Sequence, residues 1–199
     1  AKDGKITDIV GRGDADLPSD SIEGKPAASV TFGQFARWAV ADNGDVYFVY
    51  KVPLVGLATA PVIWRVGADG VVVRVAGKVL LEASAPNPVG LPAREAMLHS
   101  VDNMSVSPEG IVFFAVGIRI YRIDSQGVIR LVTSAPPGTD LADGMPTVSA
   151  PSKSRGILAL AADQLLVVPT EGPPRLAKYT VDGTVQVWRD GAYGILNND

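Results

Sequence analysis

Few residues of this chain have the chemistry that catalysis needs. It has one histidine, His99, and no cysteine, so the nitrogen and sulfur ligands of a zinc site are too few. A serine nucleophile would need His99 as its base, and the Gly-x-Ser-x-Gly pattern of a nucleophile elbow does not occur. The sequence therefore predicts no catalytic residue and no zinc site.

Acidic residues near the start of the chain make calcium the one candidate cofactor. Oxygen ligands at adaptable geometry suit this ion, and four carboxylates lie close together in the sequence, on Asp14, Asp16, Asp20 and Glu23. Their spacing lacks the fixed glycine and the closing glutamate of an EF-hand loop. We therefore interpret these residues as a solvated acidic loop and predict no cofactor, with calcium binding as the alternative.

A second group of polar residues fits ligand binding better. Four of them align at the start of the innermost strand of each repeat described below, namely Arg37, Asp102, Asn103 and Arg155. Residues of other loops that would face them are Arg94, His99 and Glu171. A guanidinium group can hold a carboxylate bidentately, so this mixed ring predicts a site for a small polar ligand or a peptide. Capping of strands by the same side chains is the alternative.

The elements that would position these residues form a sequence repeat. Four turn dipeptides are each followed by a run rich in β-branched residues, and they are Asp3-Gly4, Asp69-Gly70, Gln126-Gly127 and Asp182-Gly183. They recur about every 60 residues, a spacing at which repeat architectures are the first explanation.

Each repeat is predicted to contain four antiparallel strands. The strand before each of the three later turns carries an aromatic residue, Trp64, Tyr121 or Tyr179. Further upstream, Asn43-Gly44 and Glu109-Gly110 each predict a hairpin turn. The third repeat has Asp163-Gln164 where the others have a hairpin glycine. Four-stranded units in radial repetition are the blades of a β-propeller, so we predict an all-β fold of this class.

The whole chain is predicted to be one propeller segment, which the repeat boundaries divide into five parts. They are an outer strand of a preceding blade at 1–10, blades at 11–77, 78–134 and 135–190, and a tail or linker at 191–199. Three blades are fewer than the four to eight that close a ring. Two explanations follow: a segment of a longer propeller, or a half-propeller that a second copy completes.

The repeat resembles that of NHL-type propellers. The resemblance rests on 23–30 with its Gly-Lys-Pro-Ala, on 38–47 with its Asp-Asn-Gly hairpin, and on 64–70 with its Arg and Asp-Gly. It implies a propeller fold and carries no catalytic signature. We therefore expect a non-enzymatic protein-binding or ligand-binding module, part of a larger bacterial sensor or scaffold protein. A metal-dependent propeller hydrolase or lyase, with its site at Asp102 and Asn103, is the alternative.

Composition narrows the possible partners. The chain is 47% hydrophobic with 21 glycines and 15 prolines, which suits many turns around one core. No run of eighteen apolar residues occurs, so no membrane span is predicted. A net charge of -3 argues against nucleic acid, whose binding surfaces cluster Lys and Arg. An extracellular or cell-surface location is expected, with the cytoplasm left open.

Long connectors between the repeats are the expected binding surface. They run over 12–34, 78–99 and 135–153, are rich in Pro, Gly and Ser, and in a propeller emerge on one face. The predicted loop at 51–60 is unusually apolar, with Leu54, Val55 and Leu57. This loop predicts a partner contact; packing over a neighbouring blade is the alternative.

Overall fold

The computed structural model describes residues 22–30, 35–54, 57–78, 87–136, 138–151, 153–170 and 175–188. These residues form three sheets of four antiparallel strands, paired in chain order. The first sheet contains β1 (Phe35–Val40), β2 (Val46–Leu54), β3 (Leu57–Val66) and β4 (Val72–Ala76). The second contains β5 (Asn103–Val106), β6 (Val112–Val116), β7 (Arg119–Ile123) and β8 (Ile129–Thr133). The third contains β9 (Ser154–Ala161), β10 (Gln164–Pro169), β11 (Leu176–Thr180) and β12 (Val185–Trp188).

The predicted all-β fold of blade-like, four-stranded antiparallel sheets is confirmed. In the described ranges, three 3₁₀ helices precede the sheets' first strands, at Ala27–Ser29, Ala93–Glu95 and Thr147–Ser149. None of the helices in the described ranges has the length and apolar character to cross a bilayer. The predicted strand at 1–10 and the tail at 191–199 lie outside the described residues.

The chain divides into two compact units. The first unit, residues 1–100, contains the first sheet, and the second unit, residues 101–199, contains the other two. The predicted blade at 78–134 therefore has its connector in the first unit and its strands in the second.

The predicted long loop between the second and third strands of the first sheet is wrong. The sequence predicted a link over 51–60, but β2 continues to Leu54 and β3 begins at Leu57, with these two residues paired. Continued pairing satisfies backbone groups that an open loop would leave to water. Val55 lies outside the described residues, as do the side chains of 51–54 and 57–59.

The recurrent aromatic residues define one face of every sheet. Trp64, Tyr121 and Tyr179 are all buried, and each lies opposite an apolar residue of the neighbouring strand, respectively Phe48, Phe114 and Leu165. The rings of Phe114 and Tyr121 stack with their centroids 5.4 Å apart. We call the face with the recurrent aromatic the front face and the opposite one the back face.

Within the second unit, the back face of the second sheet packs on the front face of the third. Phe113, Ala115 and Ile120 from the second sheet share one buried cluster with Leu165 and Tyr179 from the third. The inner strands are also joined directly, because the backbone N–H of Ala159 donates to the Ser105 hydroxyl at 2.9 Å. Within this unit, the back face of the second sheet is thus covered by the front face of the third.

Tyr179 provides a test of this packing through pH. Its buried hydroxyl donates to the Pro151 carbonyl at 2.5 Å, and burial raises the pKa of Tyr179 above its ordinary value of 10.0. The unfolded chain therefore loses this proton first. The contribution of this hydroxyl to the free energy of unfolding is fully present below about pH 10. Above about pH 10 the free energy of unfolding should fall by about 1.4 kcal/mol per pH unit because of this group.

The Tyr179→Phe variant should lose about 1 kcal/mol of stability at neutral pH, and its stability should fall less steeply than the wild type above pH 10. Urea denaturation at a series of pH values measures both effects. An unchanged alkaline slope would show that the hydroxyl is not buried in the folded state.

Candidate functional site

The polar residues predicted to bind a ligand meet, in part, at the start of two neighbouring strands. Asn103 is the first residue of β5, and its side-chain amide donates to the carbonyl of Ser154, the first residue of β9, at 3.1 Å. Asp102 and Arg155 adjoin these two residues in the chain. The structure therefore brings Asp102, Asn103 and Arg155 to one end of the second unit, and we call Asp102, Asn103, Ser154 and Arg155 the strand-start cluster.

Asp102 has a structural role in this cluster. Its carboxylate accepts a 2.7 Å hydrogen bond from the N–H of Gly117, in the turn that joins β6 to β7. Its own N–H donates to the Ala115 carbonyl at 2.9 Å. Asp102 thus fixes the turn beside the cluster, which is the strand-capping alternative that the sequence left open.

Arg155 presents the charge that the cluster offers to solvent. Its side chain is exposed, and it makes no hydrogen bond or ion pair with the part of the chain that the structure describes. The neighbouring Lys153 is also exposed. The exposed guanidinium of Arg155 makes this end of the second unit suited to an anionic group. Sequence reasoning missed Lys153, although its position two residues before Arg155 could have pointed to it.

The other predicted ligand-binding residues are not shown to join the cluster. Arg37, in β1, and His99, in the second connector, are exposed and belong to the first unit. Glu171 lies outside the described residues. Arg94, in the second 3₁₀ helix, makes an ion pair with Glu23.

Glu23, a predicted calcium ligand, lies between two guanidinium groups. Its carboxylate accepts a hydrogen bond from Arg94 and is 3.5 Å from the Nε of Arg74. Asp14, Asp16 and Asp20 lie outside the described residues. Across the described ranges, no three His, Asp or Glu side chains are grouped so that they could hold a metal ion.

The connectors have a structural function that the sequence did not predict. Gly24 and Gly144 begin Gly-x-Pro turns with φ of 79° and 77°, and each turn pairs with the outer strand of the following sheet. Gly24 N–H donates to the Val72 carbonyl at 2.8 Å, and Gly144 N–H donates to the Val185 carbonyl at 2.8 Å. Because an outer strand exposes unpaired backbone groups, this part of the first and third connectors protects the start of an outer strand. Gly90, with φ of 84°, begins a Gly-x-Pro turn in the second connector. The recurrence of Gly-x-Pro in the sequence is the signal from which this pairing could have been predicted.

Comparisons with known proteins identify no family. No family model matches the chain, and no curated protein does. Among solved structures, it is similar to a structural genomics protein of unknown function from Bacteroides thetaiotaomicron, at 14% sequence identity and a TM-score of 0.48. The match covers 75% of this chain and 48% of that one, so the chain spans about half of that protein.

Proposed function

We propose that this chain is a binding module, an NHL-like propeller segment of a larger bacterial sensor or scaffold protein. Its partner is a protein or a small polar ligand that bears a carboxylate. The location that fits this role is extracellular or at the cell surface. The observation that supports the proposal is the exposed side chain of Arg155, which follows Ser154, the residue whose carbonyl accepts a hydrogen bond from the Asn103 amide of the neighbouring sheet.

The cluster is suited to recognition because its members are held by strands rather than by mobile loops. Asn103 is held by its hydrogen bond to Ser154 across two sheets, and Asp102 by its hydrogen bond to Gly117. A guanidinium at a fixed strand position can meet both oxygens of a carboxylate, and positioned groups lose less entropy on binding.

Arg155→Ala should weaken carboxylate binding while the fold survives. The probe is a library of short peptides with free C-terminal carboxylates, compared with the same peptides in amidated form, with affinities measured by fluorescence anisotropy. We expect the variant to bind at least about tenfold more weakly, because hydrogen bonds to charged groups contribute about 1.5–3 kcal/mol. The amidated peptides should bind the wild type as weakly as the free-carboxylate peptides bind the Arg155→Ala variant.

The matched control is Arg130→Ala. Arg130 is also an exposed arginine of the second unit, but it lies on β8 and forms an ion pair with Asp124 at 2.8 Å. Peptide affinity should be unchanged in this variant. Equal binding of free and amidated peptides would contradict the proposal. So would a tightly retained divalent ion with hydrolase or lyase turnover that Asp102→Ala abolishes, because that result favours the metal-dependent enzyme.

A further inference from the structure

The turn between β1 and β2 contains an exposed asparagine followed by a glycine. Asn43 and Gly44 lie at the tip of this hairpin, and both are exposed. The other asparagines of the described ranges are Asn87 and Asn103. Asn87 precedes a proline, which has no backbone N–H, and the amide of Asn103 is bonded to a neighbouring sheet. Among the described asparagines, Asn43 is therefore the one followed by an unhindered backbone N–H.

Asparagine is a thermolabile residue, because its side chain loses ammonia when the next backbone nitrogen attacks it. At this turn the Gly44 N–H would give its proton to a solvent base, and its nitrogen would form a bond to the Cγ of Asn43. The Cγ–Nδ2 bond then breaks, and the departing group takes up a proton and leaves as ammonia. Water opens the resulting succinimide ring at either carbonyl, which yields aspartate or isoaspartate. The reaction needs only water and a base.

A backbone N–H of the turn activates the side-chain amide of Asn43. The N–H of Asp45 donates to Oδ1 of Asn43 at 3.0 Å. Negative charge develops on this oxygen when a nitrogen attacks Cγ, and a backbone N–H that already points at such an oxygen stabilises that charge. The same hydrogen bond holds the amide in one orientation, so less ordering is needed before the attack.

A single hydrogen bond holds back the attacking nitrogen. The N–H of Gly44 donates to the Ala41 carbonyl at 2.9 Å, and this bond must open before the nitrogen can turn toward Cγ. Gly44 has φ of 87°, and a Cβ there would meet nothing within 4 Å, so no packed side chain opposes the movement. Exposed backbone hydrogen bonds with few surrounding contacts belong to the least stable parts of a fold. The turn can therefore open locally while the sheet stays folded.

We propose that Asn43 is a site of spontaneous deamidation in the folded chain, and that its isoaspartate product weakens the hairpin of β1 and β2. Isoaspartate continues the main chain through its side-chain carbons, which lengthens the turn and removes the acceptor of the Asp45 N–H. Asp45 is 7% exposed, and its carboxylate accepts a 3.1 Å hydrogen bond from Arg65 on β3. A displaced turn therefore also disturbs a buried ion pair that joins the hairpin to the next strand.

The turn between β3 and β4 is a matched control, with a carboxylate in place of the amide. The N–H of Val71 donates to Oδ1 of Asp69 at 3.1 Å, and the N–H of Gly70 donates to the Gly67 carbonyl at 2.9 Å. A Cβ on Gly70 would also meet nothing within 4 Å. Because a carboxylate is a poorer electrophile than an amide, Asp69 should stay unchanged while Asn43 reacts. The Asp69→Asn variant supplies the amide at the same place in an equivalent turn.

The test is incubation of the whole folded chain in mildly alkaline buffer, followed by trypsin digestion and mass spectrometry. Trypsin releases the peptides 38–51 and 66–74, and chromatography separates their aspartate and isoaspartate forms. Asn43 should react within about tenfold of its rate in a synthetic 38–51 peptide, a difference in barrier of at most about 1.4 kcal/mol. The Asp69→Asn variant should gain a second reacting site, at a rate within about tenfold of that of Asn43.

Urea denaturation tests the effect on the hairpin. The Asn43→Asp variant has the charge of the aspartate product and keeps the acceptor for the Asp45 N–H, so it should unfold at the same urea concentration as the fresh wild type. The aged wild type contains isoaspartate in addition. A fraction of its molecules should therefore unfold at a lower urea concentration than the Asn43→Asp variant does.

Three results would overturn the proposal. The first is an Asn43 amide that stays intact in the folded chain after the synthetic peptide has fully reacted, because the bond from Gly44 to Ala41 then protects it. The second is an Asp69→Asn variant that folds and gains no reacting site, which would show that this turn geometry does not promote deamidation. The third is an aged wild type that contains isoaspartate and unfolds at the same urea concentration as the Asn43→Asp variant, which would show that the hairpin tolerates the longer main chain.

Discussion

Replacing Trp64 by alanine is expected to lower the free energy of unfolding of the first unit by about 3–5 kcal/mol. Trp64 is 1% exposed and shares a cluster with Phe48, Val62 and Val72. Its removal leaves a cavity between the first sheet and its connector, and the rigid strands on either side can close it only in part. Urea denaturation followed by tryptophan fluorescence and circular dichroism measures the loss.

The matched variant is Trp64→Phe. It keeps most of the apolar ring and removes an indole N–H that has no hydrogen-bond partner among the described residues, so we expect a loss of only about 1 kcal/mol. If the free energy of unfolding of Trp64→Phe is close to that of the wild type and that of Trp64→Ala is far lower, the effect of the alanine substitution is due to lost packing. Unchanged unfolding of the alanine variant together with lost ligand binding would instead place Trp64 in a binding surface.

Gly77→Ala should cost about 3 kcal/mol, although it adds a single methyl group. Gly77 has φ of 100°, and a Cβ there would lie 2.9 Å from the Pro61 carbonyl oxygen and 3.0 Å from the Cα of Val62. Backbone strain of about 1–3 kcal/mol therefore adds to a steric clash with the backbone of β3, and main-chain atoms cannot move aside as a flexible side chain can.

Gly70→Ala separates these two causes. Gly70 has φ of 68°, and a Cβ there would meet nothing within 4 Å, so only the left-handed conformation is penalised, by about 1–2 kcal/mol. Both variants are measured by urea denaturation under identical conditions. If the two variants lose the same free energy of unfolding, Gly77 has room for a methyl group, which would contradict the close approach of β3.

Much of the fold follows from local sequence signals. Asp69 and Asp124 each accept a hydrogen bond from the N–H two residues later, and Gly44 and Gly110 have φ near 85°. These turns are encoded within a few residues, so composition and spacing alone predict where strands end. The third repeat shows where such local prediction fails. In its Asp182-Gly183 turn the positive φ, of 57°, belongs to Asp182 and not to the glycine.

The candidate site was predictable as a set of positions but not as a set of contacts. Aligning the repeats placed Asp102, Asn103 and Arg155 at strand starts, which the structure shows for β5 and β9. The bond from Gly117 to Asp102 joins residues 15 apart, and that from Asn103 to Ser154 joins residues 51 apart. Such contacts depend on how strands and sheets pack, which no local pattern encodes.

The pairing of connectors with outer strands has a consequence for how the repeat can be copied. In the first repeat, the bonds from Gly24 and Ala27 to Val72 and Gly70 join the beginning of the segment to its last strand. A segment cut from Gly24 to Ala76 therefore carries its own edge protection. Duplicating that segment adds a sheet whose outer strand is already paired at its start, so arrays of different length can arise with part of each new edge protected.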